Sequence, residues 1–231
     1  MIIGIGFYGK LPAFGDFLRR NVTPAFIEGW DNWLLRAMEN AAWQLKDNWQ
    51  PLYLNAPLWR FYLSEGVLDE NAFLGIAMPS VDKVGRLYPF TLVVELQGQE
   101  NPLALLASLE SDLHRLEDFL IALLDEKTID PQSLLEQVTQ EVKTALSGRL
   151  TSGILSSAIT GGELFSCEMS DLQELAPAVS AMACHFIRQQ TLEFSFWWSC
   201  GSRLRPPQFR VFDHMPPAEA YVTFLERENP C

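Results

Sequence analysis

Apolar side chains fall at every second position in the opening IIGIGFYG, where Ile3, Ile5 and Phe7 alternate with Gly4, Gly6 and Tyr8. That is the period of a short strand, and Pro12 and Gly15 break it. From residue 24 the period changes. Phe26, Ile27, Trp30, Trp33, Leu34, Ala37, Met38 and Ala41 recur at spacings of three and four, behind Thr23 as a cap and Pro24 in the first turn. An amphipathic helix to about Lys46 is predicted. LWRFYL at 58–63, AFLGIAM at 72–78 and FTLVVEL at 90–96 are short and apolar or aromatic, with Pro57, Gly66 and Pro79 as punctuation. They read as three strands, and the lack of helix-length gaps between them predicts an antiparallel meander.

The middle of the chain turns helical. Leu103, Leu106, Leu109, Leu113, Leu116, Leu120, Leu123 and Leu124 make one stripe, and Asp130 with Pro131 opens a further helix through Lys143. GRLTSGILSSAITGG at 148–162 is small and polar, the pattern of a flexible segment. A helix over 177–190, strands over 191–199 and 209–212 and a closing helix over 216–226 complete the pattern. Uneven interleaving of strands and helices predicts an α/β fold, a mixed sheet flanked by helices on both faces in a three-layer αβα sandwich, with the meander in its N-terminal half. A single domain over 1–231 is expected, without internal repeats.

Composition narrows the partners. With 48% hydrophobic and 20% charged residues the chain falls in the ordinary globular range, and 17 Lys and Arg against 29 Asp and Glu leave a net charge of −12. Such a balance repels nucleic-acid phosphates and anionic membranes, so neither nucleic acid nor direct membrane insertion is expected. Charges interrupt the apolar segments every few positions, which argues against a membrane span, and Met1 leads straight into the first strand with no signal-peptide pattern. Cys167, Cys184, Cys200 and Cys231 are widely spaced with no C-x-x-C clip, as expected of reduced thiols in the cytoplasm.

Gly4, Gly6 and Gly9 satisfy G-x-G-x-x-G, and Gly4 to Lys10 satisfy G-x-x-x-x-G-K. Neither has its context. A dinucleotide fingerprint needs a strand before its first glycine and a helix at its last, and a phosphate loop needs a hydroxyl where Leu11 stands. The expectation is instead a strand whose glycines let another backbone or a bulky side chain lie close.

Two charged turns are more specific. GFYGKLPAFGDFLRR places Lys10, Asp16, Arg19 and Arg20 among aromatics and turn residues, and PSVDKVGRLYPF places Asp82 and Arg86 between two strands. Together these residues read as a polar cluster, either structural, through salt bridges between the turns, or a rim for a protein partner. These motifs, with WDNWL at 30–34, PLWRFYL at 57–63 and FWW at 196–198, resemble the TagF (ImpM) family of type VI secretion-associated proteins. The resemblance is strong over 6–96 and weak beyond. It implies a cytoplasmic repressor of type VI secretion that acts after translation by binding protein, with the system's forkhead-associated scaffold as partner, and implies no enzyme. The alternative is a nucleotide or phosphate-ester binding enzyme using Lys10, Asp16, Asp82 and Arg86.

Other chemistry is thinly represented. His114, His185 and His214 are scattered, so no metal site and no cofactor are expected. Adjacent Cys184 and His185 point about 100° apart on a helix and do not face each other. Trp30 and Trp33 fall on the apolar stripe of their helix and read as core. Trp197 and Trp198 are consecutive on a strand and point to opposite faces, each an aromatic anchor for a partner if exposed.

Overall fold

A computed structural model describes residues 1–97, 101–146, 165, 175–203 and 205–225. The glycine-rich 148–162 stretch lies outside them. Seven strands of the described residues form one sheet: β1 (Ile2–Gly9), β2 (Leu18–Arg20), β3 (Trp59–Leu63), β4 (Ala72–Met78), β5 (Phe90–Leu96), β6 (Ser195–Ser199) and β7 (Gln208–Phe212), in the order β2-β1-β5-β4-β3-β6-β7. Every strand pairing is antiparallel. The expected meander is present as β3-β4-β5, but the sheet is antiparallel throughout the described residues rather than mixed. The pairs β1-β2, β3-β4, β4-β5 and β6-β7 join neighbours in sequence, as antiparallel hairpins can, while β1-β5 and β3-β6 bring together strands distant in sequence.

Among the described residues seven α-helices accompany the sheet: α1 (Pro24–Leu45), α2 (Trp49–Leu54), α3 (Pro102–Ser108), α4 (Glu110–Ala122), α5 (Pro131–Leu146), α6 (Leu175–Gln190) and α7 (Val222–Leu225). Thr23 caps α1 by accepting from the Phe26 N–H, with Pro24 at the first position. The leucine stripe is two helices, because Leu109 leaves helical geometry between α3 and α4. The predicted closing helix is a 3-10 turn, Ala218–Tyr221, followed by the short α7.

Strand alternation sorts the core into two clusters. Ile5, Phe7, Leu74, Ile76, Leu92, Val94 and Phe196 pack with Leu106 of α3, Leu113 and Leu116 of α4 and Val138 and Val142 of α5. Tyr8, Phe61, Leu63, Phe73, Val93 and Trp197 pack with Phe26, Trp30 and Trp33 of α1 and Tyr53 of α2. Burial of both sets of side chains supplies the main driving force for this arrangement.

The opening glycines serve the sheet. A side chain at Gly6 would run into the backbone of Arg20 and Asn21, and one at Gly9 into Pro89. Gly9 also takes a φ of 134°, a conformation that favours glycine. The motif is therefore a strand that lets neighbouring backbone approach, with Lys10 buried at its end.

Candidate functional site

Close packing at Gly9 brings the end of β1 against the connection between β4 and β5, and the two charged turns meet there. Lys83 N–H donates to the Phe14 carbonyl at 2.7 Å, tying one turn to the other. Within the second turn, Gly85 N–H donates to the Asp82 carbonyl at 2.9 Å and Asp82 N–H to the Arg86 carbonyl at 3.1 Å. Gly85 has a φ of 86°, which suits its place in this tight turn.

Asp82 is the knot. Its side chain is only 0% exposed, and Lys10, whose side chain is 8% exposed, sits 3.1 Å from Oδ2. Arg86 Nε donates to the same oxygen at 2.6 Å, while the backbone N–H groups of Val84 and Arg86 donate to Oδ1 at 3.1 and 2.9 Å. Burial works against ionisation of Asp82. The Arg86 N–H, the Lys10 ammonium and the Arg86 guanidinium outweigh it and hold the carboxyl well below the usual carboxylate range. Arg86 Nη2 also donates to the Gly15 carbonyl at 2.7 Å, so one guanidinium clamps both turns.

An aromatic group stands beside the knot. Lys10 Nζ lies 4.9 Å from the centre of the Phe17 ring. Phe17 stacks on Tyr8 at 5.5 Å and meets Tyr88 edge-on at 4.7 Å. Asp31 of α1 accepts from both phenols, from Tyr8 at 2.8 Å and from Tyr88. Burial and the Asp31 carboxylate push both tyrosines far above their ordinary value, so both stay protonated donors.

The structure thus joins Lys10, Asp82 and Arg86 of the residues singled out by sequence. Asp16 is exposed and its carboxylate accepts from the next N–H, that of Phe17, at 2.8 Å. Arg19 and Arg20 are exposed on the edge strand β2. A ligand site using Lys10, Asp16, Asp82 and Arg86 together does not form, because Lys10 and Asp82 are buried against each other and Asp16 stands outside. Trp197 and Trp198 are buried in the two different core clusters, so neither offers an exposed anchor. Sequence reasoning missed Asp31, Tyr8 and Tyr88, whose signal was a lone acid between Trp30 and Trp33 on the apolar stripe.

The exposed side chains of the two turns and of β2 are Arg19, Arg20, Lys83 and Arg86, with the acidic Asp16 and with Phe17 and Val84, the last 72% exposed. Arg19 pairs across from Tyr8 and shares its sheet face, while Arg20, across from Phe7, faces the other side. Exposed arginines beside an aromatic, in a chain of net charge −12, can bind a carboxylate or phosphate bidentately.

The family described as the TagF N-terminal domain, type VI secretion system-associated, matches residues 6–141. The chain belongs to it. Both turns of the TagF knot lie inside the matched region, which extends past the charged motifs through α3 and α4 and into α5. The crystal structure of PA0076 from Pseudomonas aeruginosa PAO1 superposes on this TagF chain with a TM-score of 0.79 and 30% sequence identity, covering 98% of this chain and 96% of that one. Comparison with curated proteins gave no match. Membership makes this a type VI secretion-associated protein. Among the described residues no helix is long and apolar enough to cross a membrane.

Proposed function

We propose that this TagF protein is a cytoplasmic repressor of type VI secretion that acts after translation by binding protein, without catalysis, and that its partner is the forkhead-associated scaffold protein of the system. The observation that carries this reading is the group of exposed basic side chains on and beside two interlocked turns of an acidic chain. Asp82 locks two turns together; Lys83 and Arg86 stand exposed on one of them with Val84, Phe17 on the other, and Arg19 and Arg20 on the edge strand that follows it. Arginine and aromatic side chains are enriched where protein partners dock, and a turn that is already rigid loses little entropy on binding. Local basic charge on an acidic protein suits an acidic or phosphorylated face of the partner. The core clusters on alternate strand residues favour reading the sheet as the middle of three layers, which would leave its loops as the binding edge.

The test is co-purification of the scaffold with wild type and with an Arg19→Glu, Arg20→Glu, Lys83→Glu variant, which leaves the Lys10–Asp82–Arg86 contacts in place. Wild type should retain the scaffold and the folded variant should lose it. Equal retention would remove this surface from the interface, and no retention by either would remove the proposed partner.

A further inference from the structure

Among the described residues one group of sulfur, nitrogen and carboxylate donors converges: Glu110 and His114, one turn apart on α4, and Cys200, just after β6. None belongs to the two charged turns. Their ligand atoms all lie within 4.8 Å of one another, and all three residues are exposed. We propose that these three side chains form a binding site for a zinc-class divalent cation, with a fourth coordination position open to solvent or to an added donor.

Geometry carries the inference. Bonds of about 2.3 Å from zinc to sulfur and about 2.0–2.2 Å to nitrogen or oxygen, in a tetrahedron, set donor separations of about 3.4 Å for nitrogen to oxygen and about 3.6 Å for sulfur to oxygen. His114 Nδ1 stands 3.5 Å from Glu110 Oε1 while donating to the Glu110 carbonyl at 3.0 Å, a hydrogen bond that the ion would replace, and Cys200 Sγ stands 3.7 Å from the same carboxylate oxygen. Two edges lie near the tetrahedral lengths, and the third is no longer than 4.8 Å, within reach of a side-chain adjustment. Thiolate, imidazole and carboxylate together select zinc or a similar borderline-soft ion over calcium or magnesium.

Surrounding groups prepare the carboxylate. Glu110 Oε2 accepts from Arg60 Nη1 at 2.8 Å, which turns Oε1 toward His114 and Cys200. That is the orienting role that outer hydrogen bonds play at metal sites. The positive charge that Arg60 sets near Cys200 is offset by Glu117, which holds the guanidinium at 2.8 Å through both carboxylate oxygens. A cleft of about 620 Å³, lined by Glu110, His114, Trp198, Ser199, Cys200 and Phe209, gives the ion an entry and leaves the fourth position accessible. On binding, the Cys200 thiol releases its proton to solvent, the His114 ring takes the tautomer with its proton on Nε2, and the sulfur and Nδ1 bond to the metal.

Tag-free wild type, Cys200→Ser, His114→Ala and Glu110→Gln would be titrated with cobalt(II) as a spectroscopic stand-in for zinc, then with zinc as competitor. Wild type should take up cobalt saturably with a thiolate-to-cobalt absorption band that zinc abolishes. Cys200→Ser should lose the band, and His114→Ala and Glu110→Gln should weaken binding at least about ten-fold, with tryptophan fluorescence unchanged in the metal-free proteins. X-ray absorption on zinc-loaded wild type should show a single sulfur among nitrogen and oxygen donors. Absence of a saturable band in wild type, an equal band in Cys200→Ser, or a zinc shell without sulfur would overturn the proposal.

Discussion

Deleting the Glu117 carboxylate should unfold this protein more readily than almost any other single polar change. Arg60 lies in β3 with a side chain 0% exposed, facing α4 rather than water. Burial works against its charge, but Glu117 first and Glu110 second outweigh that and raise its pKa further. In Glu117→Ala the guanidinium loses both 2.8 Å contacts from Glu117. It keeps only Glu110, whose side chain is 53% exposed. Stranding a buried charge costs about 3–5 kcal/mol, and the surviving partner places the expected loss at the lower end, about 3 kcal/mol. For a chain of this size about 1 kcal/mol moves the melting midpoint by about 2–4 °C, so the drop should be about 6–12 °C. Urea unfolding followed by tryptophan fluorescence measures it, with an unchanged slope showing that the denatured state is the same. The paired replacement Arg60→Met, Glu117→Leu should recover most of the loss, because an apolar pair of similar volume carries no desolvation penalty. A Glu117→Ala protein within about 1 kcal/mol of wild type, or a paired variant as unstable as the single one, would refute the reasoning.

Asp82 supplies a pH signature. Its pKa is lower in the folded than in the unfolded chain, so its stabilisation is present above the ordinary carboxylate value of about 4 and is lost as pH falls below that toward the folded value. Asp82→Asn should lower the neutral plateau and flatten the acid limb of a stability-against-pH curve; an unaltered limb counts against the ion pair. Gly9→Ala should destabilise by at least about 2 kcal/mol, since an L-residue at φ 134° is strained and its Cβ meets Pro89; wild-type denaturation would contradict the close approach. Thr23→Ala removes a cap that also donates to Asp69 at 3.1 Å, and a loss of about 1 kcal/mol is expected in the same assay.

Local pattern carried the elements that form from their own residues. β4 and β5 run over Ala72–Met78 and Phe90–Leu96, as their apolar runs predict, and α1 follows its cap and stripe. The family motifs were equally legible, and the match extends beyond residue 96. Failures fall where a distant partner or a local side-chain turn decides. β2 is only LRR, and its extended form rests on pairing with Phe7–Gly9. The strand predicted over 191–199 begins at Ser195, because Thr191 and Glu193 close a local turn through the Thr191 hydroxyl. In the candidate site, the two motifs announced Lys10, Asp82 and Arg86, but Asp31 joins only because α1 lies against the same sheet face. Arg60 read as a strand residue among aromatics, and nothing local named Glu117 as its partner.

The strand order also governs when during synthesis the protein can finish folding. β3, β4 and β5 can pair as soon as residue 96 is made, and β1 can then join β5. The far edge of β3 stays bare until β6 arrives, with Arg60 waiting for Trp198 and Phe61 for Trp197. A nascent chain stopped at residue 141, where the family match ends, would carry an open, aromatic strand edge of the kind that pairs with its own copies. On the ribosome, then, the hundred or so residues after the meander are an interval of exposure, and slowing elongation there should raise aggregation even though every motif of the charged turns has already been translated.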